Sequence, residues 1–188
     1  MANNVANVLT IKCQNPVIME RIKKLIYRID KNNKQEFTME ILLPRSMAFA
    51  DFENYDLFWN KAVWGTERDV REYSIMGGGD TLILVYKTVW NPNRGWVKTL
   101  CCYIHYYLLY SQDKNTCHLE VEHRYSDYLG NFGGILTWKP GTDIKYNHYD
   151  SYMEYLRNTD SDAYQYMLEV EKGMESNANS ISLISTPI

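Results

Sequence analysis

The chain has 188 residues, 45% of them hydrophobic and 23% charged, with 20 basic and 23 acidic side chains for a formal net charge of −3. These proportions are those of a globular protein and exclude wholesale disorder, so one compact core with an appended segment is the expected organisation. No run of about 18 apolar residues occurs, and Met1 to Asn7 carries neither the basic nor the apolar region of a secretory leader, so the expectation is a cytoplasmic protein without a membrane span.

Val5 to Cys13 alternates, with Leu9, Ile11 and Cys13 on one face and Val8, Thr10 and Lys12 on the other, which predicts a strand. Asn15 and Pro16 then form a favoured cap and first position for a helix. Ile18, Ile22, Leu25 and Ile29 follow at helical spacing, giving an amphipathic helix of about four turns. Beyond the polar turn at 31–34, Phe37, Met39, Ile41 and Leu43 predict a second strand, which Pro44 ends. Residues 47–62 form a helical excursion that closes at Trp64 and Gly65. Val70 to Met76 and Thr81 to Trp90 read as a hairpin turning through Gly77-Gly78-Gly79-Asp80. After the turn at 91–95, Val97, Leu100, Cys101, Ile104 and Leu108 mark a second long helix over Trp96 to Tyr110.

Cys117 to Tyr125 reads as a half-buried strand, with Cys117, Leu119, Val121 and Tyr125 on the apolar face and His118, Glu120, Glu122 and Arg124 on the polar one. A short strand, Ile135 to Trp138, ends at Pro140-Gly141. Tyr149, Tyr152, Met153 and Leu156 form one helical stripe and Ala163, Tyr166, Met167 and Val170 another, before a tail rich in Ser and Asn. The order contains the split β-α-β units of a ferredoxin-like sandwich, an α+β fold with two helices on one face of an antiparallel sheet. The expected organisation is a ferredoxin-like domain over 1–140 with a helical insert at about 47–64, a C-terminal helical segment over 141–175 and a tail over 176–188. The sheet face away from the helices, carrying His118, Glu120, Glu122 and Arg124, is where function is expected.

The most distinctive stretch runs from Trp59 to Asp69, where two indoles five residues apart precede Gly65-Thr66 and a charged triplet. Thr88-Val89-Trp90-Asn91-Pro92 echoes it at the other end of the hairpin. Paired strands bring those two ends together, so Trp64, Gly65, Thr66, Arg68, Asp69, Trp90 and Asn91 are the candidate binding residues. The indoles suit a core anchor, the commoner role of an aromatic cluster, or else a recognition surface. Met1-Ala2-Asn3 with Asn7-Val8-Leu9-Thr10-Ile11, Trp64-Gly65-Thr66 ending in Asp69, Thr88-Val89-Trp90-Asn91-Pro92 and Gly133-Gly134 resemble the YubB-type ferredoxin-like domain family of plasmids, phages and other mobile elements. The resemblance covers about residues 1–140, departing at Glu67-Arg68, where the family typically has Lys-Trp, and at Val89, where it has Ala. It implies the fold and a mobile-element origin, and it carries no catalytic residues.

Chemistry is hard to find elsewhere. His118-x-Glu120 is not followed by the P-C-x-x-C of zinc deaminases, and the glycine turn lacks the Lys-Ser/Thr of a phosphate loop. The four cysteines show no C-x-x-C spacing, so buried thiols are expected and no metal or cofactor is assigned. Residues 1–35 carry seven basic and two acidic side chains, whereas 126–188 carry four and nine. The leading expectation is therefore a non-catalytic binding protein of a mobile element or phage that engages or inhibits a host or defence component. The first alternative is a nucleic-acid or nucleotide binder using the open sheet face and the basic helix residues Arg21, Lys23, Lys24, Arg28 and Lys31. The second is a metal-dependent hydrolase using His118, Glu120 and Glu122, which share a strand face. Homo-oligomerisation is left open.

Overall fold

A computed structural model describes residues 4–45, 55–110, 118–127, 131–159 and Gln165. Strand β1 (Asn4–Cys13) buries every second residue, Val5, Asn7, Leu9, Ile11 and Cys13, as one covered sheet face requires. It pairs antiparallel on both sides, with β5 (Thr81–Val89) and β6 (Leu119–Asp127). β4 (Arg71–Gly78) joins beyond β5, while β7 (Gly133–Trp138) and β8 (Lys145–Tyr149) extend the other side. The resulting six-stranded antiparallel sheet has the order β4-β5-β1-β6-β7-β8, and the protein is α+β. Between β1 and β6 lie two long helices, α1 (Pro16–Ile26) and α3 (Arg94–Tyr110).

Residues opposite one another in a ladder share a face. Leu84, Leu9, His123, Leu136 and Tyr146 therefore form one row across the sheet, and Tyr86, Asn7, Tyr125, Gly134 and His148 form the next. Both helices pack on this face: Ile18, Met19, Ile22 and Ile26 of α1 and Trp96, Val97, Leu100 and Ile104 of α3 share one core with Leu9, Ile11, Leu84 and Val121. Asn15 caps α1 as expected, its side-chain oxygen accepting the N–H groups of Val17 and Ile18 at 3.0 and 3.2 Å.

Several elements depart from the sequence reading. α1 stops at Ile26, and Ile29 is 64% exposed in a small separate hairpin of β2 (Tyr27–Ile29) and β3 (Gln35–Phe37). Asp30 is the cause, since its carboxylate accepts the N–H groups of Asn32 and Lys34, both at 2.8 Å, and so offers the backbone a turn instead of more helix. The strand expected through Leu43 also ends early, in a 3₁₀ turn at Met39–Ile41. Met39 spends its backbone on tertiary partners: Asp69 takes its N–H at 2.9 Å and the Trp96 indole donates to its carbonyl at 3.1 Å. Tyr149 closes β8, a strand the sequence reading omits, and α4 (Tyr152–Thr159) follows it with Leu156 buried.

The hairpin, the second long helix and the left-handed Gly65 stand where expected. Of the helical insert, α2 (Tyr55–Trp59) and a single π-helical turn at Asn60–Trp64 are described, while 46–54 lie outside the described residues. The helical stripe at 163–170, except for helical Gln165, and the tail also lie outside them, as does Cys117. Cys13 and Cys101 are buried, but Cys102 is exposed, which corrects the expectation for that thiol. No described helix is long and apolar enough to cross a membrane.

Candidate functional site

The π-helical turn delivers Trp64 into the core, fully buried, with its indole N–H donating to the Leu43 carbonyl at 3.1 Å and the Arg45 guanidinium 5.0 Å from its ring centre. Gly65 then adopts φ 86°, and its N–H closes the turn on the Asn60 carbonyl at 3.0 Å. A side chain there would meet the backbone nitrogens of Gly95 and Arg94 at 3.2 and 3.3 Å, so the joint lies directly against the start of α3. Asn60 anchors the following segment by donating to the Glu67 carbonyl at 2.8 Å. Asp69 accepts the N–H groups of Met39 and Val70, and its pKa is raised because burial outweighs those bonds. Arg68 is exposed.

Opposite the joint, β5 ends in a γ-turn. The N–H of Asn91 donates to the Val89 carbonyl at 2.8 Å, and Trp90 between them takes φ 68°. A positive φ is unusual for so bulky a side chain and costs roughly 1–2 kcal/mol. Two buried threonines hold this conformation from beneath: Thr66 donates to the Val89 carbonyl at 3.0 Å and Thr88 to the Asn91 carbonyl at 2.8 Å. Trp90 itself is 46% exposed, and Asn91 is exposed beside it. The expected cluster of joint and turn therefore forms, with its two indoles divided between core and surface.

Behind the turn runs a string of buried polar side chains. The Asn7 amide nitrogen donates to the Val5 carbonyl and to the Thr88 hydroxyl, both at 2.9 Å. A carbonyl can only accept, so the amide orientation is fixed and its oxygen faces His123 Nε2 at 3.1 Å. That nitrogen accordingly carries the imidazole proton. His123 is fully buried, and burial first, with the Arg94 charge second, lowers its pKa to about 3, leaving the ring neutral near pH 7. Tyr86, stacked 6.4 Å from His123, donates its hydroxyl to Asn93 Oδ1 at 2.7 Å, and burial pushes that phenol far above its usual value. Asn93 precedes α3 and accepts the Val97 N–H at 3.1 Å, so the string ties β6, β1 and β5 to both the γ-turn and the helix start.

A second polar chain reaches the surface at the β8 side. Arg94 donates to the Tyr146 hydroxyl at 2.5 Å and lies over its ring at 4.8 Å. Tyr146 and Tyr125 are in hydroxyl contact, Tyr125 meets His148 Nδ1 at 3.1 Å, and His148 Nε2 lies 3.5 Å from Asp150. A guanidinium only donates, which leaves the Tyr146 proton for Tyr125 and the Tyr125 proton for His148 Nδ1, with Asp150 3.5 Å from the other ring nitrogen. Gly134 makes room for it, because a Cβ there would sit 2.3 Å from the Tyr125 hydroxyl oxygen. Burial raises the Tyr146 pKa against the opposing pull of Arg94.

The other candidate residues lie apart. Arg21, Lys24, Arg28 and Lys31 are exposed on and after α1, and Lys23 is tied to Glu20 at 2.6 Å. On the polar face of β6, Glu120 pairs with Lys139 at 2.5 Å and Glu122 with Arg124 at 2.8 Å. The Lys139 bond holds the Glu120 carboxyl below its usual range. Among the described residues no group of three or more His, Cys, Asp or Glu side chains is placed to hold a metal ion. His123 is absent from the sequence reading although it sits between Val121 and Tyr125 in the buried alternation, a signal that a polar residue occupied a core position. Compared with known proteins, no family model, no curated protein and no solved structure matches the chain.

Proposed function

We propose that the protein is a non-catalytic binding protein whose recognition surface is centred on Trp90 and Asn91. The observation that carries this reading is the γ-turn: a bulky indole is half exposed in a strained conformation that two buried threonines maintain. Strain kept in place by the surrounding structure clusters at functional positions, and Trp is the side chain most often found at binding hot spots. The strand order with α1 and α3 on one face supports a ferredoxin-like arrangement. The resemblance to YubB-type domains supports a mobile-element or phage origin and a host or defence protein as the partner, which would be met in a cytoplasmic setting. The test is affinity capture from candidate host extracts with wild type and Trp90→Ala in parallel, followed by reconstitution with the purified partner. Loss of the partner at unchanged melting temperature is expected, and a partner held equally by Trp90→Ala overturns the reading.

A further inference from the structure

We propose that the groove between α3 and the β7–β8 side of the sheet is a nucleotide-binding site. It is open to solvent and offers about 770 Å³, within the range of roughly 300–1,000 Å³ that small-molecule sites occupy. One wall is a stripe of α3: positions 98, 101 and 105 follow at helical spacing, which sets Lys98 and His105 along the groove, while Arg94, one turn before, is bonded to Tyr146. Lys98 is exposed and takes part in no ion pair among the described residues. The other wall is of another kind, with Ile144 and Tyr146, both half-buried, supplying apolar surface beside the buried Trp138, and Asp143 an exposed carboxylate.

Those two walls fit the two ends of one ligand. A phosphate seeks Lys98, a base seeks the aromatic and aliphatic wall, and a carboxylate accepts the hydroxyls of a ribose. A bare anion would gain from Lys98 alone while facing Asp143. Cys101 adds no thiol chemistry, because burial pushes it up to about 12.

The site is separate from the Trp90 turn, so each proposal fails on its own. Titration calorimetry of the full chain at low salt, with AMP, GMP, CMP, UMP, their nucleosides and inorganic phosphate, tests it. At least one nucleotide should bind more tightly than about 1 mM, ahead of its nucleoside and of phosphate. Lys98→Glu should weaken that binding at least about tenfold, while Lys24→Glu and Trp90→Ala leave it unchanged. Both lysines are exposed, and melting temperatures verify that the variants fold. Absence of binding by all four nucleotides, equal binding of inorganic phosphate, or full affinity in Lys98→Glu overturns the assignment.

Discussion

Thr66 donates its hydroxyl proton to the carbonyl of Val89, 3.0 Å away, so the residue after a left-handed glycine fastens the residue before a left-handed tryptophan. Thr66→Val keeps the volume and removes the donor. The Val89 carbonyl retains the Asn91 N–H, so the loss should be about 1–2 kcal/mol. Thr88→Val should cost more, about 2–3 kcal/mol, since it strips a donor from the Asn91 carbonyl and an acceptor from Asn7 together. Urea unfolding of both variants checks the ranking, and the reverse order would discount the threonines as supports of the turn.

The two indoles should respond oppositely to truncation. Trp64→Ala opens a cavity in the core and should cost about 3–5 kcal/mol. Trp90→Ala removes a half-exposed ring and should stay within about 1 kcal/mol of wild type. Thermal melts separate the two, and a large loss from Trp90→Ala would mark it as a core residue.

His123 sets a pH signature. Its folded pKa lies below the ordinary value of 6.5, so the unfolded chain takes up the proton first. The stability tied to the neutral ring is whole above pH 6.5 and is lost as pH falls toward about 3, at up to about 1.4 kcal/mol per pH unit. His123→Gln retains an N–H toward the Asn7 oxygen and cannot titrate. The stability advantage of wild type over this variant should shrink by at least about 1 kcal/mol between roughly pH 6 and 4. Parallel denaturation curves at the two pH values would refute a buried neutral imidazole if the difference stayed constant.

Gly134→Ala should be disruptive, although its strand position alone would welcome a larger residue. The new methyl would fall 2.3 Å from the Tyr125 hydroxyl oxygen and 2.7 Å from the Asn147 carbonyl oxygen, and the second of these is backbone. Overpacking of that kind costs about 1–3 kcal/mol. Circular-dichroism melts check this, and an unaltered transition would mean that β7 and β8 separate freely.

The sequence disclosed elements with clear periodicity: β1, most of β6, the hairpin, the cap of α1 and α3 from Trp96 onward. It misled where a polar side chain captured the backbone, at Asp30 after α1 and at Asp69 opposite Met39, because such capture depends on residues distant in the chain or on turn chemistry that apolar spacing does not record. The meeting of Thr66 with Val89 followed from hairpin geometry. The polar string did not, since a histidine among apolar alternates shows its partners only once β1, β5 and β6 lie side by side. β8 escaped notice because Tyr146 and His148 lean on Tyr125 instead of forming an apolar stripe of their own.

The central place of β1 has a consequence for synthesis. Strand β1 finds one neighbour at residues 81–89 and the other at residues 119–127. At translation rates of about 5–20 residues per second, the second arrives roughly 6–25 seconds after β1 emerges. During that interval an apolar strand waits with a free ladder edge, a hazard for association with other nascent chains. Only when β6 is complete is β1 paired along both of its edges.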